Sequence, residues 1–208
     1  MTELYIIGLH GPAGAGKSTT AKQIAKYSDG ETLVLATSFA GPLYESVSAL
    51  LGLTVDQVRA IKVNGEVTAY LHGEVRQEHV LATLDGRTLL ERYGTEAHRD
   101  VFGQTFWLDV WEQRVFKLHD HYEDQVERII VTVDDARFEN ELAKIRGIGG
   151  FVVGVNGDNN FGLDQSAHPS RQLHPVDYQM DIQHGDEEQN RIAVRDMLRA
   201  LIGDVVLG

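Results

Sequence analysis

An eight-residue stretch close to the amino terminus constrains the fold of this 208-residue chain more than any other feature. Residues 11–18 read GPAGAGKS, which matches the pattern GxxxxGK[ST] in full. A short apolar run, Leu4 to Leu9, precedes the stretch, and a segment of helical character, about 17–27, follows it. A structural glycine-rich turn that matched this pattern by coincidence would not need to lie between a strand and a helix. The sequence therefore predicts a buried strand, a loop whose main-chain N–H groups surround phosphates, and a helix, in that order.

The side chains of this loop predict how a nucleoside triphosphate is held. Lys17 supplies a positive charge for the β- and γ-phosphates, and Ser18 supplies a hydroxyl ligand for Mg²⁺. The amino terminus of the following helix adds its partial positive charge. ATP and Mg²⁺ are therefore the expected cofactors. The residues predicted to bind ATP are Gly11, Ala13, Gly14, Ala15, Gly16, Lys17, Ser18 and Thr19.

Apolar runs alternate with helical segments along the rest of the chain. This order implies a parallel sheet with right-handed crossovers and helices on both faces. The expected architecture is the three-layer α/β fold of P-loop NTPases, with a five-stranded parallel sheet. Strands are predicted at about 4–9, 32–37, 127–133, 151–155 and 177–183, and the principal helices at about 17–27, 42–51, 87–94, 105–118, 137–147 and 187–202. Gly52 is expected to end the second of these helices, and Gly147 is expected to close the fifth.

The domain organisation expected from the sequence is a single domain, residues 1–208, because no repeat or Pro/Ser-rich linker divides the chain. A capping-box pattern at 54–57 predicts a further short helix. Residues of about 64–85 have no sustained period, which indicates a hairpin or an irregular excursion. We expect the region of about 54–109 to be a substrate-binding insertion, and the region of about 156–175 to be a lid-like segment.

The composition limits the kinds of partner. A net charge of −12 at pH 7 repels polyanions, so we expect neither extended nucleic acid nor a membrane surface as a partner. The chain contains no cysteine, which excludes disulfides and thiolate metal sites and suits the cytoplasm. No apolar run approaches the ~18 residues of a spanning helix. The stretch His119-Asp120-His121 lacks a metal-ligand spacing and is expected in a polar loop.

Two adjacent carboxylates follow the strand predicted at 127–133. Asp134 and Asp135 stand where a carboxylate is expected to approach the metal from the end of a neighbouring strand. Because adjacent side chains point in different directions, we expect only one of them to face the metal, and one of them has a helix-capping role as its alternative. The pattern itself leaves open which of the two faces the metal.

Three arginines are candidates for contacts with phosphate. Arg87, Arg99 and Arg137 lie in segments that we place around the carboxyl edge of the predicted sheet, where ligands of open α/β sheets bind. A guanidinium fork matches a phosphate better than an ammonium does, so these side chains are candidates to hold an acceptor phosphate and the charge of a transition state. The alternative for each one alone is a surface ion pair.

Several segments together resemble the phage deoxynucleoside monophosphate kinase family, a branch of the P-loop nucleoside monophosphate kinases. The resemblance runs along most of the chain, although only the P-loop is specific by itself. The chain departs from the family pattern at Arg171, where the family has an acidic residue, so the roles of His168, Ser170 and Arg171 stay open. The segments that carry the resemblance are GLHGPAGAGKSTTAK (8–22), SFAGPLYE (38–45), LLERYGTEAHRD (89–100), Phe106-Trp107, DARFENE (135–141), Gly149-Gly150 and HPS (168–170).

The resemblance implies an activity and a set of catalytic residues. The implied reaction transfers the γ-phosphoryl group of ATP to a deoxynucleoside 5′-monophosphate, in the host cytoplasm if the chain is phage-encoded. Asp135 and Arg137 are implied to face the phosphates, with Lys17 as the third catalytic residue and with Asp135 and Ser18 as the metal ligands.

The resemblance also implies a set of substrate-side residues. In the family the monophosphate lies between the helix after the second strand and the GTE-type segment. Phe39 and Trp107 are suited to stack on a base, with core packing as the alternative, above all for Trp107. The implied residues are Ser38, Phe39, Arg87, Glu96, Arg99 and Trp107.

Other functions stay open beside this one. The same ATP-binding half suits a different acceptor, such as dephospho-coenzyme A, a nucleoside or a modified base in phage DNA. A nucleotide-binding module without catalysis is a further alternative, although such a module would have no need of both Lys17 and Ser18. Neither the accepted bases nor the oligomeric state, a homodimer included, follows from the sequence.

Overall fold

The structure is a computed structural model, and it describes residues 1–72, 78–157 and 174–203. The chain divides into two compact units. The first unit comprises Met1–Phe39 and Trp111–Gly208, and the second unit comprises Ala40–Val110.

The helices and strands follow one another as a mixed α/β chain. In order they are β1 (Glu3–His10), α1 (Lys17–Ala25), β2 (Thr32–Thr37), α2 (Gly41–Leu51), α3 (Val55–Asn64), β3 (Glu66–His72), β4 (Glu78–Asp85), α4 (Gly86–Gly94), a π-helix (Thr95–Arg99), α5 (Asp100–Phe102), α6 (Phe106–Tyr122), β5 (Arg128–Ala136), α7 (Glu139–Gly147), β6 (Phe151–Gly157), β7 (Tyr178–Ile182) and α8 (Glu187–Ile202).

The sheet of the first unit confirms the predicted architecture. Its five strands lie in the order β2-β5-β1-β6-β7, and every neighbouring pair is parallel. β1, β5 and β6 contain nearly continuous buried apolar runs, which suits strands that are covered on both faces. Because β1 is the central strand, the loop that follows it lies at the middle of the carboxyl edge of the sheet.

Helices cover both faces of this sheet, as predicted. Ile7 and Leu9 of β1 pack in a cluster with residues of α1 and α8. At Gly8, between them, an added Cβ would overlap the side chain of Ile145 in α7. Since successive residues of a strand point to opposite faces, α1 and α8 lie on one face of the sheet and α7 lies on the other.

The second unit is a small set of helices that carries a hairpin. Tyr44, Val47, Val58 and Leu90, from α2, α3 and α4, form its buried apolar cluster. β3 and β4 pair antiparallel. Where the sequence left a choice between a hairpin and an irregular excursion, the described residues therefore form a hairpin.

Two helix ends in the second unit form as the sequence predicts. α2 ends at Gly52, which adopts a left-handed conformation with φ 65°. α3 begins with a capping box, in which the Thr54 hydroxyl accepts from the Gln57 N–H at 3.2 Å and the Gln57 side chain accepts from the Thr54 N–H at 2.8 Å. Both ends are set by residues adjacent in the sequence.

Some boundaries differ from the prediction. β5 continues through Asp134 and Asp135 to Ala136, because Ala136 still pairs with His10 of β1. α7 begins at Glu139 rather than at Arg137, and its end is not a left-handed Gly147. The left-handed glycine follows two residues later, at Gly149 (φ 82°).

The predicted polar loop at His119-Asp120-His121 is wrong. These residues lie in the last turn of α6, which continues to Tyr122, and the His119 ring reaches the main-chain oxygen of Thr2 at 3.3 Å. Ligand atoms of His119 and Asp120, and of Glu123 directly after the helix, lie within 4.8 Å of one another, a spacing that is common among exposed acidic groups without an ion.

The predicted lid falls largely outside the described residues. Asn156 and Gly157, its first two residues, belong to β6. His168, Ser170 and Arg171 lie in the range 158–173, which the structure does not describe. Among the residues that it does describe, no helix is both long enough and apolar enough to cross a membrane.

Candidate nucleotide-binding site

The loop between β1 and α1 requires glycine at several positions. Gly11, Gly14 and Gly16 have φ values of 152°, 79° and 93°, a region that residues with a side chain rarely adopt. A Cβ on Gly11 would overlap the main-chain oxygen of Val155, and a Cβ on Gly16 would lie 3.0 Å from Cγ2 of Ile182. The loop is therefore packed closely against β6 and β7, and its shape depends on the glycines.

The amino terminus of α1 is suited to bind an anion. Gly16 is the N-cap, and neither a side-chain cap nor an acidic residue in the first turn is present among the described residues. The amides of Lys17, Ser18 and Thr19 open the helix and have no partner in the preceding turn, whereas the Thr20 amide donates to the Gly16 oxygen at 2.8 Å. Three amides and the helix dipole therefore favour a phosphate at this end.

Lys17 is held inside the loop by main-chain oxygens. Its ammonium donates to the oxygens of Gly11 at 2.7 Å and of Pro12 at 2.8 Å, and the residue is 8% exposed. Burial, and then the nearby charge of Arg137, lower the pKa of Lys17 to about 8, although Asp134 and Asp135 act in the opposite direction. A positive charge is therefore fixed beside the free amides of α1, close to the carboxyl end of β5.

The two adjacent carboxylates of β5 have different partners. The Ser18 hydroxyl donates to Oδ2 of Asp134 at 2.8 Å, whereas Oδ1 of Asp135 accepts from the main-chain N–H of Phe39 at 2.8 Å. Geometry thus pairs Ser18 with Asp134, whereas the sequence resemblance implied Asp135 as the metal ligand, and the choice between the two carboxylates stays a prediction. A hydroxyl and a carboxylate oxygen in contact are a suitable pair of ligands for Mg²⁺, which prefers oxygen donors.

Arg137 comes to the same edge of the sheet. Its side chain is exposed, and its charge is close enough to lower the pKa of Lys17. The structure therefore brings together the three residues predicted to be catalytic, Lys17, Asp135 and Arg137, with Asp134 as a fourth. Their catalytic roles stay predictions.

Glu141 supports this edge of the sheet, and the sequence interpretation missed it. Its Oε2 accepts from the main-chain N–H groups of Arg137 at 2.7 Å and of Phe138 at 3.0 Å. Burial raises the pKa of Glu141, while these two hydrogen bonds favour the charged form. Its place in the first turn of α7, as an acidic residue, was the available signal.

Replacing Glu141 with alanine is expected to lower the free energy of unfolding by about 1–3 kcal/mol, because two main-chain N–H groups lose a partly buried acceptor. Urea unfolding followed by circular dichroism measures the change. Glu139→Ala is the matched control, since Glu139 lies in the same turn and is exposed. Equal losses in the two variants would show that the hydrogen bonds of Glu141 contribute nothing specific.

Two of the implied substrate residues lie in the first unit, just after β2. Ser38 is half-buried. Phe39 is 4% exposed, and its ring centroid lies 4.5 Å from that of Trp111. The indole N–H of Trp111 in turn donates to the Thr37 hydroxyl at 3.2 Å. The Phe39 ring is therefore packed in the core, while its main chain is anchored by Asp135.

The other four implied substrate residues lie in the second unit. Trp107 is 5% exposed and donates its indole N–H to the Gly94 oxygen at 2.9 Å, so the structure gives it the packing role that was the stated alternative. Arg87 is exposed in the first turn of α4. Their roles toward a substrate stay predictions.

Glu96 and Arg99 belong to the π-helix, a rare conformation that is frequent at functional sites. Glu96 lies 3.7 Å from the Arg92 guanidinium. The Nε of Arg99 is buried without a hydrogen-bond partner among the described residues. Phe102, which the sequence interpretation did not single out, is 66% exposed and stacks on Phe106 with a centroid distance of 5.1 Å.

The sheet, the loop and the helix together define the fold. A parallel sheet whose central strand ends in a GxxxxGK[ST] loop, followed by a helix with free N-terminal amides, is the fold of P-loop NTPases. The residues present fit a polyphosphate with a divalent cation.

Comparisons with known proteins place the chain in no family. No protein-family model and no curated protein matches it. Solved structures that resemble it distantly include the following three. A shikimate kinase from Bacteroides thetaiotaomicron is 15% identical over 95% of this chain and 98% of that chain, with a TM-score of 0.38. A shikimate kinase from Acinetobacter baumannii in complex with shikimate is 15% identical over 97% and 95%, with a TM-score of 0.38. A sugar kinase from Janibacter sp. is 12% identical over 98% and 97%, with a TM-score of 0.37. At this level the likenesses carry no argument about activity, and the assignment of the fold rests on the chain's own sheet, loop and helix.

Proposed function

We propose that the chain is an ATP- and Mg²⁺-dependent kinase that phosphorylates a deoxynucleoside 5′-monophosphate to the diphosphate. The observation that carries the proposal is the hydrogen bond between Ser18 in the P-loop and Asp134 at the end of β5. A loop that only bound an anion would need neither this hydroxyl nor this carboxylate, whereas phosphoryl transfer needs a metal beside the phosphates.

The donor side of the proposal assigns a task to each loop residue. The amides at the start of α1 and the glycine-rich turn hold the β- and γ-phosphates, and Lys17 offsets their charge. Ser18 and Asp134 hold Mg²⁺, which when bound neutralises charge that develops on the phosphate oxygens. Gly11 and Gly16 keep the turn narrow enough for main-chain N–H groups to face the ligand.

The transfer step needs positive charge rather than covalent chemistry from the protein. Lys17 and Arg137 are close enough for their charges to interact. The side chain of Arg137 is exposed, so its guanidinium is available to donate two N–H hydrogen bonds to the oxygens of the transferred phosphoryl group. Glu141 holds the main chain at Arg137 in place.

The acceptor side rests on the sequence resemblance and on two supporting observations. Asp135 fixes the main chain at Phe39, and so holds Ser38 at the same edge of the sheet as Asp134. The buried Nε of Arg99 has no partner among the described residues, which suits a group that binds an anionic substrate. The proposal includes a small-molecule acceptor and a cytoplasmic location, where such nucleotides are found.

Acceptor-dependent release of ADP tests the proposal. The protein is mixed with ATP and Mg²⁺, and ADP is followed by a coupled assay with each of the four deoxynucleoside monophosphates in turn. We expect turnover stimulated by at least one of them and lost when EDTA removes the metal.

The same assay separates the alternatives. Turnover with dephospho-coenzyme A, a nucleoside or DNA, but with no deoxynucleoside monophosphate, would retain the kinase and overturn its acceptor. Binding of ATP without transfer to any acceptor would support a non-catalytic nucleotide-binding module. Absence of ATP binding would contradict the proposal as a whole.

A further inference from the structure

His10, the last residue of β1, is a buried polar side chain with no task in the proposed reaction. It is 3% exposed. Its Nε2 lies 3.2 Å from the main-chain nitrogen of His174, and its Nδ1 lies 3.2 Å from the main-chain oxygen of Ala136. A main-chain N–H can only donate, and a carbonyl oxygen can only accept. The two contacts therefore require one neutral tautomer, in which Nδ1 carries the proton and Nε2 accepts.

The pairing of β1 with β5 is interrupted next to His10. The strands pair residue by residue as far as Gly8 and Val133, and the next pair joins His10 to Ala136. One residue of β1, Leu9, therefore stands opposite two residues of β5. Such a bulge changes the direction of side chains and is frequent beside active sites. The two residues in this bulge are Asp134 and Asp135.

The two carboxylates that lie in the bulge have different partners. In a regular strand, neighbouring side chains point to opposite faces. Here Asp134 reaches the Ser18 hydroxyl while Asp135 reaches the main chain of Phe39. A slip of β5 by one residue would move Asp134 away from Ser18.

The peptide group that closes the bulge is held from both sides. The oxygen of Ala136 accepts from the His10 ring, and the N–H of the following residue, Arg137, donates to Glu141 at 2.7 Å. These two atoms belong to the same planar peptide unit. His10 and Glu141 therefore clamp this unit between them, one residue after the two carboxylates.

We propose that His10 is a positioning residue that clamps the Ala136–Arg137 peptide and thereby holds Asp134 in place to bind Mg²⁺ with Ser18. The inference rests on the proposed function, because it takes Asp134 and Ser18 as the metal ligands. The proposal assigns His10 no contact with the nucleotide or the metal.

The surroundings of His10 favour the neutral ring that the clamp requires. Burial is the main cause that lowers the pKa of His10, and the hydrogen bond to Ala136 acts against it. The neighbouring ring of His174 and the charges of Lys17 and Arg146 also lower the pKa of His10. The ring therefore stays uncharged at neutral pH.

Calorimetric titration of ATP, once with Mg²⁺ and once with EDTA, tests the clamp without relying on catalysis. For the native protein we expect tighter binding with Mg²⁺. We call the ratio of ATP affinity with Mg²⁺ to ATP affinity in EDTA the Mg²⁺ advantage. For His10→Phe we expect this ratio to fall by about tenfold or more, which is the usual loss when a residue that positions a metal ligand is replaced. Affinity for ATP in EDTA is expected to change by less than about twofold, because the P-loop amides are retained.

Two further variants test the two hydrogen bonds of the His10 ring separately. In His10→Asn, the side-chain amide places an N–H donor near the position of Nδ1 in the native ring. This variant is therefore expected to retain most of the Mg²⁺ advantage that His10→Phe loses. The longer side chain of His10→Gln places its amide near the former Nε2, and is not expected to restore it. The control is Ile6→Val, a change in another buried residue of β1, for which the Mg²⁺ advantage should stay unchanged.

A double variant tests whether His10 acts through Asp134. His10→Phe combined with Asp134→Asn should bind Mg-ATP no more weakly than Asp134→Asn alone, because residues that act as a unit are not additive. Additive losses, equal losses with Mg²⁺ and with EDTA, or an unchanged Mg²⁺ advantage in His10→Phe would each overturn the inference.

The ring tautomer gives a test that needs no variant. Nitrogen-15 NMR of the native protein should show the proton of His10 on Nδ1, and a proton on Nε2 would overturn the clamp even if the variants fail to fold. If the native protein bound ATP equally well with Mg²⁺ and with EDTA, the proposed function would be contradicted. The position of the proton on His10 would still show whether the ring makes the two hydrogen bonds of the clamp.

Discussion

Lys17→Met should lower kcat/KM for phosphoryl transfer by about 10³-fold or more, which corresponds to about 4 kcal/mol of transition-state stabilisation. Methionine retains most of the apolar stem, whereas the ammonium that is held beside the free amides of α1 is lost. No other lysine in the described part of the loop replaces it. Steady-state kinetics with the best deoxynucleoside monophosphate as acceptor measures the loss.

Lys22→Met is the matched control, because Lys22 lies on the same helix and is exposed. We expect it to retain the activity of the native protein. Thermal unfolding of both variants should remain cooperative, since the loop keeps its glycines and its contacts with β6 and β7. Lys17→Met with native activity would show that transfer does not depend on this charge, and the proposed mechanism would then be wrong.

Asp134→Asn should lower kcat by about 10²- to 10³-fold and raise the Mg²⁺ concentration needed for half-maximal activity. The reason is the contact between Asp134 and Ser18 at 2.8 Å, which places this carboxylate rather than its neighbour beside the P-loop hydroxyl. A titration of activity against Mg²⁺ at saturating ATP measures both changes.

Asp135→Asn is the comparison, and its expected loss is smaller, at most roughly tenfold. An asparagine oxygen can still accept from the Phe39 N–H, so the anchor of the chain after β2 is retained. A larger Mg²⁺ dependence in Asp135→Asn than in Asp134→Asn would reverse the assignment and support the choice that the sequence resemblance implied.

The parts of the fold that the sequence predicts well depend on neighbours in the chain. The strand, loop and helix around the P-loop, the glycine that ends α2 and the capping box of α3 were all predicted, and the structure contains them. Each follows from backbone preferences or from hydrogen bonds over a few residues. The parallel sheet could be predicted as well, because helices between apolar strands leave few other topologies.

Side-chain assignments at the candidate site were less predictable. Phe39 and Trp107 were both suited to stack on a base, with core packing as the alternative, above all for Trp107, since an aromatic residue carries the same local pattern in both roles. The structure buries both rings, and it leaves Phe102 exposed instead. Burial depends on which distant elements meet, and no periodicity in a single segment encodes that.

By itself, the sequence determined that a phosphate-binding loop follows a buried strand and that carboxylates stand at the end of another strand. Only the tertiary structure decided which carboxylate meets Ser18, since that depends on the register between β1 and β5, which are more than a hundred residues apart in the chain. One extra residue of β5 in that register, closed by His10 and Glu141, lies where Asp134 and Asp135 contact their different partners. Main-chain pairing between distant strands sets the direction of a side chain, and a local pattern of residues contains no information about it.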